Sequence, residues 1–292
     1  MNAAAVRIIR FGHSPDADDA FMFYGLAKEI VRIPGYRVEH VMQDIQSLNE
    51  RARSLADLEV TAISTAVYPE IASRYRIMSS GASMGRGYGP QVVSLKLASA
   101  SELSGKRLAI PGAHTTAFLV LRLYLGDNAK SVEFAPVNFD QIPQAILDGR
   151  VDAGLLIHEG QLTHPEMGLH EIVDLGKWWD DETGLPLPLG LDVVRRDLGE
   201  ELSAQINSAL RRSIEVAYAD EENALDYALS FGRGIEREVC RAFVKMYVNR
   251  DTLDMGESGR RSLEELFARA ATAGLVPKMP PLDIVAAESR PG

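Results

Sequence analysis

Short apolar runs alternate with stretches of helical periodicity through the first two-thirds of this chain, and that alternation constrains the fold more than any other feature. The runs at residues 6–11, 35–43, 59–64, 91–96, 106–110, 132–137, 151–157 and 171–175 have the length and composition of strands, and helical patterns separate most of them. A strand, a crossover helix and a further strand pack as a parallel sheet covered by helices, so the fold class expected is α/β with parallel strands. From about residue 198 the chain turns helical. Leu202, Ile206, Ala209 or Leu210, and Ile214 share one face, as do Leu263, Phe267 and Ala270. The tail after Pro277 is too rich in proline for a helix.

Two stretches break this rhythm. Residues 80–90 (SGASMGRGYGP) carry Gly85, Gly87 and Gly89, and residues 184–190 (GLPLPLG) are stiff and extended. No Lys-Ser/Thr follows the three glycines and the next element reads as a strand, which favours a crossing between domains over a phosphate cradle. Two crossings imply a discontinuous domain of residues 1–96 and 189–292, with an α/β domain of residues 97–188 inserted into it. This is the architecture of a type II periplasmic binding protein, a two-domain fold with a ligand cleft between domains and a hinge that can close.

Composition narrows the function. The chain has 292 residues, 46% of them hydrophobic and 25% charged, enough for two separate cores. A formal net charge of -10, with Lys and Arg scattered among acids, argues against nucleic acid as a partner. No apolar run approaches the ~18 residues of a membrane span, and the start has neither a basic region, an apolar segment nor a small-residue cleavage site. The expectation is a cytoplasmic protein that acts on a small molecule. The single cysteine, Cys240, falls at helical spacing with Val239, Phe243 and Tyr247 and reads as a small core residue; one cysteine leaves no internal disulfide and no cysteine-rich metal site.

Three stretches carry polar chemistry. The apolar run 151–157 breaks at His158-Glu159 on the strand's carboxyl end, where open α/β sheets place ligands. His158 there is either a catalytic group or a histidine hydrogen-bonded into a loop. Residues 111–116 (PGAHTT) turn from a strand into a helix, so Thr115 and Thr116 with free backbone amides resemble a carboxylate site; plain N-capping by a threonine explains them equally, and the two roles are compatible. The loop at 12–19 (GHSPDADD) gathers aspartates, Asp18 among them, before a helix expected near Ala20. The adjacent Trp178 and Trp179 suggest one core anchor and one cleft cover.

Several longer motifs, in order, resemble the 1,4-dihydroxy-6-naphthoate synthase family of the futalosine route to menaquinone. They are DIQSLNERA at 44–52, GRGYGP at 85–90, PGAHTTA at 111–117, DAGLLIHE at 152–159, DLGKWWDDETGLPLPLG at 174–190 and MYVNRDTLDMGESG at 246–259. The resemblance spans nearly the whole chain. It implies a carbon–carbon lyase without metal or organic cofactor, which converts cyclic dehypoxanthinylfutalosine, a small anionic substrate, into 1,4-dihydroxy-6-naphthoate. It also implies that His158 is the general base and that Ser64, Thr115 and Thr116 bind the substrate's polar groups. Alternatives are a chorismate dehydratase-like enzyme on the same fold, or a cytoplasmic binding protein for a small carboxylate. The first motif departs from the family's common SPCPNDTF: residues 14–21 read SPDADDAF, with Asp18 in place of Asn and Ala20 in place of Thr, and Ala62 stands where Lys is frequent. If they line the cleft, an added negative charge at Asp18 and a missing cation at Ala62 oppose an anionic substrate.

Overall fold

The computed structural model describes residues 7–232, 234–276, 278 and 281–287. Val6, expected to open the first strand, and Pro277, expected to end the last helix, lie outside the described residues. The chain begins with β1 (Arg7–His13), α1 (Ala17–Ala27), β2 (Tyr36–Met42), α2 (Ile45–Ser54) and β3 (Val60–Ser64). Both β2 and β3 run parallel to β1, one on each side. A short α3 (Tyr68–Ile71) leads to β4 (Tyr75–Met78) and β5 (Ser83–Gly85).

A second sheet follows. It contains β6 (Gln91–Ser94), β7 (Arg107–Ile110), β8 (Glu133–Pro136), β9 (Ala153–Leu156) and β10 (His170–Asp174), in the order β10-β6-β9-β7-β8. Between its strands lie α4 (Thr116–Leu125), α5 (Ile142–Leu147) and α6 (Gly160–Thr163), and α7 (Leu175–Thr183) comes after β10. The chain then returns in β11 (Leu187–Arg195), which takes its place between β4 and β3. Helices α8 (Glu200–Ala219), α9 (Glu221–Leu229), α10 (Arg237–Tyr247), α11 (Arg250–Leu253) and α12 (Gly256–Thr272) complete the helical third. The described part of the tail adds β12 (Ile284–Val285), parallel to β4, so the proline-rich end supplies an edge strand.

One sequence expectation changes here. The sheets are mixed: β11 runs antiparallel to β3, β4 and β5, and β6 antiparallel to β9 and β10. The reason lies in the crossings, which enter each sheet from the opposite end to its βαβ strands and therefore pair in the opposite sense. Gln91–Ser94, which lies within the 1–96 segment expected for the first domain, pairs in the second sheet. Strand periodicity says that residues 91–94 are extended but not which sheet they join.

Apolar side chains form cores on both faces of both sheets. Against the first sheet, Phe21, Phe23, Ile206, Leu210, Cys240 and Phe243 pack from α1, α8 and α10, while Tyr68, Leu263 and Phe267 cover the other face. Burial pushes the Cys240 thiol up to about 11, as suits a small core residue. In the second sheet Val120, Leu121 and Trp179 fill one face and Ile142 and Ile146 the other. Helix α12 serves both sheets, because Leu263 and Phe267 pack with the first core and Leu266 and Ala270 with the second.

The glycine-rich crossing is explained by a close backbone approach. A Cβ on Gly176 would lie 2.0 Å from the Tyr88 carbonyl, and one on Gly89 would lie 2.9 Å from the Gly176 backbone. Only glycine at both positions lets the crossing rest on the start of α7.

Candidate functional site

The carboxyl ends of four strands, β1, β3, β7 and β9, meet at one cavity of about 120 Å³. Its wall includes Ser14, Asp16, Asp18 and Asp19 after β1, Ser64 at the end of β3, Thr115 and Thr116 after β7, and Ile157 and His158 after β9. Strand β11 adds Leu189 to Asp192, and α10 adds Phe243 and Tyr247. All five residues singled out in the sequence, Asp18, Ser64, Thr115, Thr116 and His158, are on this wall. No Lys or Arg is among the described residues that line it.

His158 sits two residues beyond the buried strand that introduces it, with φ of 53°, a left-handed conformation uncommon for residues other than glycine. Gln161 holds that turn. Its backbone N–H donates to the His158 carbonyl at 3.2 Å, and its side-chain oxygen, with the amide turned to satisfy its neighbours, accepts from the His158 N–H at 3.2 Å. The same amide donates to the Gly89 carbonyl at 2.6 Å and meets the Tyr247 hydroxyl at 2.8 Å, so the crossing, α6 and α10 are tied together under the histidine. The imidazole lies 4.7 Å from the Phe139 ring and 6.4 Å from Phe243. Its Nδ1 is 3.2 Å from Asp16 Oδ2, and its Nε2 is buried without a hydrogen-bond partner.

The turn after β1 is an acid cluster. Helix α1 begins at Ala17 with Asp16 as N-cap, three residues before the expected Ala20, and no side chain caps it; Ala20 is instead a core residue. Asp19 accepts a 2.6 Å bond from the Ser14 N–H, which fixes the loop. Burial, then the charges of Asp16 and Asp19 and a hydrogen bond to Asp16, push the Asp18 carboxyl well above the usual carboxylate range. Burial and the charges of Asp16 and Asp192 do the same to Asp19. Asp192 stands opposite Ala62 in the β11–β3 register, is 1% exposed, has a carboxylate oxygen without a partner, and is pushed up to about 8 by burial. A lysine in place of Ala62 would stand beside it. Shifts in this direction reduce the repulsion that an acid cluster would exert on an anionic ligand.

Across the cavity the turn after β7 has the opposite chemistry. Thr115 caps α4: its hydroxyl donates to the Gly112 carbonyl at 2.9 Å and accepts from the Phe118 N–H at 3.3 Å. The Thr116 hydroxyl donates to the Leu189 carbonyl at 2.6 Å and accepts from the Ala66 N–H at 3.2 Å, which joins the second sheet's helix to two elements of the first. Both hydroxyls are therefore committed within the protein. What this end offers a ligand is the backbone amides of Thr116 and Ala117, which have no intrahelical acceptor in the first turn, and the positive end of a ten-residue helix. Ser64 completes it; Asn49, from the DIQSLNERA motif, donates to the Ser64 hydroxyl at 3.0 Å and accepts from its N–H at 2.8 Å, which leaves the Ser64 O–H as a donor.

Sequence reasoning did not pick out Asp16, Gln161, Asp192 or Tyr247. Asp16 carried the signal of an aspartate-rich loop at a strand's carboxyl end, but Asp192 and Tyr247 are distant in sequence and only the fold brings them in. Trp179 is the core anchor expected, with its Nε1 donating to the Pro186 carbonyl at 3.2 Å. Trp178 stacks edge-on against Tyr124 and is not on the cavity wall, so it covers the second core rather than the cleft.

Comparison with known proteins follows the same lines. A menaquinone biosynthesis family profile matches residues 9–272. The chain is 42% identical over 272 residues to 1,4-dihydroxy-6-naphthoate synthase of Thermus thermophilus, covering 93% of this chain and 97% of that one. It is 34% identical over 276 residues to the enzyme of the same name from Streptomyces coelicolor, covering 94% and 96%. Among solved structures, a protein from Archaeoglobus fulgidus superposes with a TM-score of 0.87 at 44% identity, over 94% of this chain and all of that one. The alkanesulfonate-binding protein of Xanthomonas axonopodis superposes with a TM-score of 0.74 at 12% identity, over 98% of this chain and 100% of that one, which shows the two-domain binding-protein fold.

Proposed function

Because this chain belongs to the menaquinone biosynthesis family, we propose that it is a 1,4-dihydroxy-6-naphthoate synthase, a carbon–carbon lyase that converts cyclic dehypoxanthinylfutalosine with His158 as general base. The observation that carries the site assignment is the His158 Nε2, buried on the cavity wall with no protein partner. A neutral imidazole with a free nitrogen at the carboxyl end of β9 takes a proton from bound substrate, and formation of an aromatic ring then favours cleavage. The amides at the start of α4 and the Ser64 hydroxyl hold the substrate's carboxylate and neighbouring polar groups, since no Lys or Arg is among the described residues that line the cavity.

The two sheets act as separate domains in this reading, with residues 7–90 and 187–287 on one side of the cavity and residues 91–186 on the other. Their memberships support the division, and closure over the substrate excludes water from the proton transfer.

The test is direct. Purified protein incubated with the cyclic futalosine derivative should release the naphthoate chromophore, and His158→Ala should lower turnover by roughly 10² to 10⁴ with the fold intact. Tight binding of the compound without turnover would instead make this a ligand-binding protein on the same fold.

A further inference from the structure

The geometry points to Asp16 as the positioning residue of His158: its carboxylate accepts the Nδ1 proton and so holds the imidazole in the tautomer that leaves Nε2 bare toward the cavity. This rests on the reading of His158 as general base and adds to it a second residue from the opposite side of the cavity, after β1 rather than β9.

An imidazole has two ring nitrogens, and a neutral one carries its proton on either. Only the Nδ1–H form can act as a base through Nε2, so an enzyme that uses Nε2 needs an acceptor at Nδ1. Asp16 Oδ2 lies 3.2 Å from Nδ1, while Nε2 has no protein partner to compete for the proton. The Asp16 side chain is 2% exposed, so water does not screen its pull on the ring. The ring's direction is set independently: the left-handed backbone of His158 is pinned by Gln161 at both its N–H and its carbonyl, and Phe139 and Phe243 flank the imidazole.

The neighbouring acids decide which carboxyl carries the charge. Asp18 shares a hydrogen bond with Asp16 and is itself driven toward its protonated form by burial, which makes it a donor to Asp16. Asp19 is committed to the Ser14 N–H. Asp16 is thus placed to accept from His158 on one side and from Asp18 on the other. The arrangement follows the logic of a histidine oriented by a buried aspartate, in which the aspartate stabilises the imidazolium formed on proton transfer without taking the proton.

Two measurements test it. In the wild-type protein labelled with ¹⁵N-histidine, His158 should show a protonated Nδ1 and an unprotonated Nε2 at a pH where the ring is neutral. In Asp16→Asn, kcat should fall by roughly 10² to 10⁴ with KM within about threefold, and the tautomer preference should weaken or reverse because an amide can donate to Nδ1 as well as accept from it. A wild-type ring protonated at Nε2 overturns the proposal whether or not the variant folds. So does a folded Asp16→Asn with kcat within about twofold of wild type, or one whose only loss is thermal stability. His158→Gln separates the two readings: if it is inactive while Asp16→Asn is not, the base stands and the positioning role falls; if both retain turnover, both fall.

Discussion

Two strand-to-helix turns face each other across the cavity, equivalent in topology and opposite in chemistry. The turn from β1 to α1 collects Asp16, Asp18 and Asp19, leaves its helix without a side-chain cap and pushes the Asp18 and Asp19 carboxyls well above the usual carboxylate range. The turn from β7 to α4 carries no charge, and each of its two threonine hydroxyls donates its proton to a backbone carbonyl and accepts from a backbone N–H. The difference teaches where reactivity can sit. A turn whose hydroxyls are spent on backbone groups is scaffold and offers a ligand chiefly its helix amides, whereas a turn that buries several carboxyls together stores the means to shift a proton.

The largest expected effect breaks the comparison at the acid end. Asp16, Asp18 and His158 bring ligand atoms within 4.8 Å of one another, a donor set that suits a divalent cation. If the enzyme works through a bare His158, then EDTA should leave turnover unchanged, while Zn²⁺ at ~50 µM should suppress it by about tenfold or more by occupying Nε2 or Nδ1, and EDTA should restore it. Loss of activity on EDTA treatment alone would mean that this trio works as a metal centre and not as an acid–base pair.

The next effect tests whether the threonine turn is scaffold. Thr116→Val strands the Leu189 carbonyl and the Ala66 N–H, both partly buried between the sheets, and should cost about 2–3 kcal/mol of stability. Thr115→Val removes only a cap and should cost ~1 kcal/mol. Chemical denaturation reads both. Equal small losses, together with a large rise in KM, would return the hydroxyls to ligand binding and erase the contrast drawn above.

Asp192 sharpens the comparison through pH. Its carboxyl titrates near 8 in the folded chain and near 3.8 when unfolded, so between those values the folded state binds the extra proton and stability falls as pH rises. Asp192→Asn should therefore raise the melting temperature at pH 8, by about 1–3 kcal/mol of stability, with the gain shrinking as pH falls below the unfolded-state value, where both states of the wild type become protonated. A gain independent of pH would show that Asp192 is not ionising in the fold. The smallest effect is at Asp18: burial and the charges of Asp16 and Asp19 push its carboxyl toward the protonated form, which Asn mimics in shape, so Asp18→Asn should change KM by no more than about threefold at pH 7. A tenfold change would mean that Asp18 carries charge against the ligand.

The sequence determined a good deal about this protein without help. Strand and helix periods set the α/β class, the two extended crossings announced a two-domain plan, and an apolar run broken by His158 marked a strand's carboxyl end. Each is a local property, written in spacing along the chain, and local spacing is what periodicity reports. Only the tertiary structure decided the rest. It put residues 91–94 in the second sheet and turned β11 antiparallel, because strand pairing is chosen by partners far away in sequence. It spent the hydroxyls of Thr115 and Thr116 on the protein itself, which no reading of PGAHTT could distinguish from a ligand site, since a cap and an anion use the same helix end. It also brought Asp16 to His158, 142 positions away along the chain, and put Asp192 opposite Ala62 on a wall with no Lys or Arg among its described residues. Proton affinity depends on burial and on neighbours within a few ångströms, and those distances exist only once the chain has folded.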